Sequence, residues 1–73
     1  MNLSQPELGF FLRNHRKQTG LSQEKFAQMV GIGKTVVYDL EKGKETVQLS
    51  SLNKILKGLN IDVNLVSPLD KTL

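Results

Sequence analysis

Residues 20–43 read Gly20-Leu21-Ser22-Gln23-Glu24-Lys25-Phe26-Ala27-Gln28-Met29-Val30-Gly31-Ile32-Gly33-Lys34-Thr35-Val36-Val37-Tyr38-Asp39-Leu40-Glu41-Lys42-Gly43. Glycines divide this stretch into two short helical segments. Ser22 is placed to cap the first, with Gln23 and Glu24 in its opening turn. Phe26, Ala27 and Val30 form its apolar stripe, and Gly31 stops it. Gly33 can begin the second segment, where Val37, Leu40 and Glu41 share one face. Gly43 ends it, with Lys42 and Lys44 at the negative end of the helix dipole. The Gly31-Ile32-Gly33 connection is too tight for the two helices to run side by side, so they cross steeply.

Before this pair, the apolar period from about Gln5 to Thr19 predicts a helix of about four turns, closed by Gly20. Pro6 suits its first turn, and Leu8, Leu12 and His15 lie on one face with Phe11 beside them. After the pair, residues 44–48 read as a loop. Ser50 or Ser51 is expected to cap a fourth helix carrying Leu52, Ile55, Leu56 and Leu59, with Leu49 stapling its start and Asn60 stopping it. The period then changes. Ile61, Val63 and Leu65 alternate with Asp62 and Asn64, a strand pattern closed by Ser67-Pro68. No second strand candidate exists in the chain. A lone strand leaves its backbone groups unpaired, so its natural partner is the same strand of a second copy. A short extended tail packed on its own helices is the alternative. The expected fold class is therefore mostly α: a four-helix helix-turn-helix domain over 1–60, a dimerisation strand over 61–67 and a tail over 68–73.

With 73 residues, the chain is one small domain. It has no cysteine and a single histidine, which leaves no disulfide framework and no thiolate metal site. No cofactor or metal is expected. Small domains without such staples rely on idealised helix packing or on a core shared with another subunit. No run approaches a membrane span or a signal-peptide apolar region, so a cytoplasmic protein with no membrane partner is the default expectation. The net charge is +3. Residues 1–44 hold seven basic and four acidic side chains, whereas residues 45–73 hold three of each, so the surplus is confined to the first part. A localised positive field points to a polyanion partner.

Enzyme chemistry has no foothold. There are no paired carboxylates at helical spacing and no nucleophile beside a base. Gly31-Ile32-Gly33-Lys34-Thr35 contains Gly-Lys-Thr, but the upstream glycine spacing of a phosphate-binding loop and its preceding strand are missing. His15 reads as a packed, hydrogen-bonded ring. Phe10 and Phe11 diverge by 100° around a helix and cannot face the same core, so one of them is a candidate for a subunit seam or a protein partner.

Arg16-Lys17-Gln18-Thr19-Gly20-Leu21-Ser22-Gln23-Glu24-Lys25-Phe26-Ala27, with Val30-Gly31-Ile32 and Leu40-Glu41-Lys42-Gly43-Lys44, resembles the Xre/Cro-type helix-turn-helix family of phage and bacterial repressors. The resemblance covers roughly residues 8–60 and implies a lambda repressor-like fold. Where the family commonly continues into a fifth helix, this chain has a strand pattern. That departure is similar to HipB-like antitoxins, whose terminal strand pairs across a dimer.

In such a domain the third helix enters the major groove with its N-terminal half toward base edges. Lys34, Thr35, Tyr38 and Asp39 face outward on that helix and are the candidate base readers, since Val37 and Leu40 are needed inward. A merely solvated helix face is the competing interpretation. Asp39 would repel phosphate, so it needs a cytosine amino group or a neighbouring Lys34 or Lys42. The resemblance places Gln23 on a DNA phosphate at the start of the second helix, with Ser22 as cap and secondary contact, and Lys42, Lys44 and Thr46 as the opposite backbone clamp. It also implies a partly buried ion pair between Arg16 and Glu41. The implied function is a homodimeric repressor reading palindromic double-stranded DNA, as the antitoxin partner of a HipA-like kinase toxin. A phage or restriction–modification regulator without a toxin, or a module that binds only protein, are the alternatives.

Overall fold

The structure, a computed structural model, describes residues 5–64. Four helices follow one another: α1 (Glu7–Thr19), α2 (Gln23–Val30), α3 (Lys34–Glu41) and α4 (Leu49–Gly58). The boundaries follow local chemistry. The Ser22 hydroxyl accepts the Lys25 N–H at 3.1 Å, satisfying one of the unpaired donors at the start of α2. Gly31 closes α2 at φ 79°, in the left-handed region that costs a side-chain-bearing residue about 1–2 kcal/mol. Its N–H and that of Ile32 both bond the Ala27 carbonyl, and this double closure turns the chain sharply into α3.

Leu8, Leu12, Phe26, Ala27, Val37, Leu40, Ile55 and Leu56 form the buried core, two residues from each helix. Phe11, Leu21, Val30, Ile32, Val47, Leu52, Leu59 and Ile61 pack around it. α3 rests on both α1 and α2, and α4 packs on α2. Two glycines make these approaches close. A Cβ on Gly9 would collide with the Leu40 carbonyl oxygen, and one on Gly58 would collide with the Val30 side chain.

Three local expectations are corrected. α1 starts at Glu7, with Pro6 in the capping position before the first turn. α4 starts at Leu49 behind an extended Gln48, so Ser50 and Ser51 lie inside its first turn and do not cap it. Leu49 is 71% exposed and staples nothing. Val47, preceding the cap, and Leu52 pack on the core instead, at the two positions where a hydrophobic staple belongs. Asn60 does end the last turn, at φ 57°, while Ile61 N–H returns to the Leu56 carbonyl.

Residues 61–64 form no strand within the single chain. Ile61 packs against the core, and Val63 is exposed. Leu65 and the rest of the expected strand lie outside the described residues. Among the described residues no helix is long and apolar enough to cross a membrane.

Candidate nucleic-acid interface

α3 has one face in the core and the other in solvent. Val37 and Leu40 fill the inner face. Lys34 and Thr35 are exposed at its first turn, and Tyr38 is 45% exposed one turn later. Asp39 is half-buried on the flank. The four candidate base readers thus form a contiguous outer surface, with Lys34 and Tyr38 in one i,i+4 row and Thr35 and Asp39 in the next.

Behind this surface lies a saturated polar junction. Arg16 Nε donates to Glu41 Oε2 at 2.7 Å and Arg16 Nη2 to Glu41 Oε1 at 3.0 Å, a two-pronged pair with side chains only 9% and 5% exposed. Arg16 Nη1 also donates to the Leu21 carbonyl at 2.8 Å. Gln23 Nε2 donates to Glu41 Oε1 at 3.0 Å. This one carboxylate therefore ties the end of α1, the start of α2 and the end of α3 together. The hydrogen bond to Glu41 raises the Arg16 pKa above its ordinary value, against the opposing effect of burial. Arg16 is consequently committed inside the fold.

Two clefts flank the outer surface of α3. The first, about 300 Å³, is lined by Arg13, Gln23, Tyr38, Glu41 and Lys42. Lys42 Nζ sits 5.4 Å from the centroid of the Tyr38 ring, a cation–π distance. The second, about 260 Å³, runs along Val36, Asp39, Lys44, Thr46 and Gln48 to Ser51. The residues expected at DNA phosphates are divided differently from the expectation that Lys42, Lys44 and Thr46 form one clamp opposite Gln23: Lys42 shares a cleft with Gln23, and Lys44 and Thr46 line the other. Ser22 is exposed but uses its hydroxyl oxygen as the α2 cap. Asp39 pairs with Lys44 at 3.5 Å, a lysine other than the Lys34 or Lys42 expected as the alternative to a cytosine. Lys34 instead lies 3.9 Å from Glu24, both side chains 62% exposed, an ion pair of small energetic consequence.

The adjacent phenylalanines separate as helix geometry requires. Phe11 packs on the core and tilts against His15, centroids 4.2 Å apart, while His15 Nδ1 is 2.9 Å from the Phe11 carbonyl oxygen. Phe10 is 63% exposed beside Pro6 and Glu7.

Sequence reasoning missed three positions that shape this surface. Gln5 accepts the Gly9 N–H at 2.8 Å and donates to the Lys44 carbonyl at 2.9 Å, anchoring the loop after α3. Gly9 permits α1 to approach α3. Arg13 lines the first cleft; the available signal was its i,i+4 relation to Lys17, which marks an exposed basic face of the first helix.

A helix-turn-helix family model matches residues 12–66. The chain belongs to the helix-turn-helix family of transcriptional regulators. It is 38% identical over 73 residues to the control protein C.MunI of a Mycoplasma species, covering 97% of this chain and 99% of the relative. It is 31% identical over 62 residues to the helix-turn-helix-type transcriptional regulator y4mF of Sinorhizobium fredii, covering 85% and 82% of the two chains. The fold matches a chain in the structure of a HipA-HipB-O2-O3 complex with a TM-score of 0.81, at 24% identity and covering 93% and 96% of the chains. HipB in complex with an O4 20mer gives the same TM-score. The Xre/Cro-type helix-turn-helix fold read from residues 8–60 is therefore the fold of this chain.

Proposed function

We propose that this chain is a sequence-specific, double-stranded DNA-binding transcriptional repressor acting as a homodimer. The observation that carries the reading is the outer surface of α3: Lys34, Thr35 and Tyr38 stand exposed on a helix whose other side is locked into the core. Such a helix can enter a major groove without unfolding anything, and its polar side chains can bond base edges. Ser22 and Gln23 at the start of α2, with Lys42, would hold the backbone on one side, and Lys44 and Thr46 on the other. Ile61, Val63 and Leu65 would pair with the same segment of a second copy, giving the two-fold symmetry that a palindromic operator demands.

Two finer roles are consistent with that reading. The likeness to HipB favours an antitoxin that neutralises a HipA-like toxin. The likeness to control protein C.MunI favours the alternative of a regulator without a toxin, such as a restriction–modification regulator, and its identity is higher, at 38% over 97% of this chain. A protein that co-purifies from the native operon as a kinase-like partner selects the first role. A neighbouring methyltransferase or endonuclease gene with no such partner selects the second.

The test is a titration of the duplex immediately upstream of the chain's own coding sequence against an unrelated duplex. The wild type should prefer the upstream duplex. Lys34→Ala and Thr35→Ala should each reduce that preference by about 1–3 kcal/mol while leaving the melting temperature nearly unchanged. A chain truncated after Asn60 should sediment as a monomer and bind weakly. Equal affinity of the wild type for both duplexes at moderate salt would sink the repressor reading.

A further inference from the structure

We infer that the cleft between α1 and α3 is an anion seat for the DNA backbone, and that Arg13 is its principal cation. This inference rests on the repressor reading and adds a residue and a location to it. Arg13, Gln23, Tyr38 and Lys42 converge on one cleft from three helices. Its one acidic side chain, Glu41, is buried and already accepts bonds from Arg16 and Gln23. Neither Arg13 nor Lys42 is paired with a carboxylate among the described residues. Two cations therefore face the cleft with no carboxylate partner among the described residues.

The cleft is also ordered in advance. Gln23 is held by Glu41 through one amide N–H and retains the other N–H as a donor. Lys42 is drawn over the Tyr38 ring. Arg13 is exposed on α1 and needs no internal bond broken before it turns inward. A phosphodiester presents two equivalent oxygens, which match the planar fork of a guanidinium better than any single ammonium. The opposite cleft lacks this character, because Lys44 there is held by Asp39. The backbone strand nearer α1 should consequently be gripped harder than the one nearer α4.

The experiment measures binding of the upstream duplex and of an unrelated duplex over a series of salt concentrations, for wild type, Arg13→Ala, Arg13→Lys and Lys44→Ala. Thermal melting of each variant confirms that it is folded; alanine at this exposed helical position has no packing to disturb. Arg13→Ala should weaken both duplexes by the same factor, about tenfold for one lost charge-assisted bond. It should lower the slope of log affinity against log salt by about 0.9 per subunit. Arg13→Lys should keep the slope and recover only part of the affinity, and Lys44→Ala should have the smaller effect. An Arg13→Ala variant with wild-type affinity and slope overturns the inference alone, as does a loss confined to the upstream duplex. A wild type that binds neither duplex overturns the repressor reading and this inference with it.

Discussion

The two faces of α3 both carry charge and use it in opposite ways. On the inner side, Glu41 is 5% exposed and every strong donor near it is engaged: Arg16 twice and Gln23 once. On the outer side, Lys34 and Glu24 are each 62% exposed and separated by 3.9 Å. The inner charges are fixed by geometry and hold three helices in register. The outer ones are solvated and cost little to rearrange around a ligand. A domain this small has little stability to lose, so charge serves as an internal brace at Glu41 and as an exposed contact surface at Lys34, about two helical turns earlier on α3.

The largest effect that can break this comparison is Arg16→Ala. It leaves the Glu41 carboxylate buried with one neutral partner and strips the Leu21 carbonyl of its donor. The expected loss is about 3–5 kcal/mol, a large share of the roughly 5–15 kcal/mol that holds a domain folded. Calorimetry should record a fall in Tm of more than about 10 °C. The double variant Arg16→Met with Glu41→Leu should melt well above Arg16→Ala, because it removes both charges and not merely one. The raised Arg16 pKa stabilises the fold at every pH below the ordinary arginine value and is lost only as pH rises through the folded value. It therefore adds no pH dependence near neutrality. An Arg16→Ala protein melting with the wild type would mean that the inner face is not held by charge.

A smaller effect tests whether α1 and α3 must approach so closely. Helix propensity alone says that Gly9→Ala should stabilise α1 by about 1 kcal/mol. The contact geometry says the reverse, because the added Cβ would meet the Leu40 carbonyl oxygen, a backbone atom that cannot swing aside. Forcing the helices apart should cost about 1–3 kcal/mol beyond the propensity gain. Asn14→Ala, on the exposed side of the same helix, is the reference and should be neutral or slightly stabilising. A Gly9→Ala protein that melts above the wild type would show that the helix pair tolerates a wider spacing.

These residues also show how far the sequence could be read. Helix order and most helix ends were legible because Ser22, Gly20, Gly31, Gly43 and Asn60 act on their own neighbours, through caps and left-handed turns. The start of α4 was not, because its capping position is held by Gln48, whose side chain makes no capping bond. Packing of Val47 and Leu52 on the core accompanies that start, and local capping preference carries no trace of it. Gln5 and Gly9 were invisible for a related reason. Their partners, Lys44 and Leu40, lie in another helix and the loop after it, and no periodicity encodes such a pairing. Of the candidate interface, the α3 surface was legible from the need to bury Val37 and Leu40. The placement of Lys42 in the Gln23 cleft, apart from Lys44 and Thr46, was not, since it depends on the direction in which the chain leaves α3.

The smallest effect bears on the outer face, where Asp39 is the one acidic group among the candidate base readers. Its pairing with Lys44 at 3.5 Å is partly exposed, so Asp39→Asn should change stability by no more than about 1 kcal/mol. Its effect on DNA should depend on what the carboxylate does there. If Asp39 only restrains Lys44, the asparagine variant releases a cation and removes a repulsive charge. Affinity for upstream and unrelated duplexes then rises together by a few-fold, and the salt slope steepens by up to about 0.9 per subunit. If Asp39 accepts a bond from a cytosine amino group, affinity for the unrelated duplex rises while that for the upstream duplex falls. Unchanged affinity for both would place the Lys44 side of α3 away from DNA altogether, confining recognition to the row of Lys34 and Tyr38 and to the cleft beneath it.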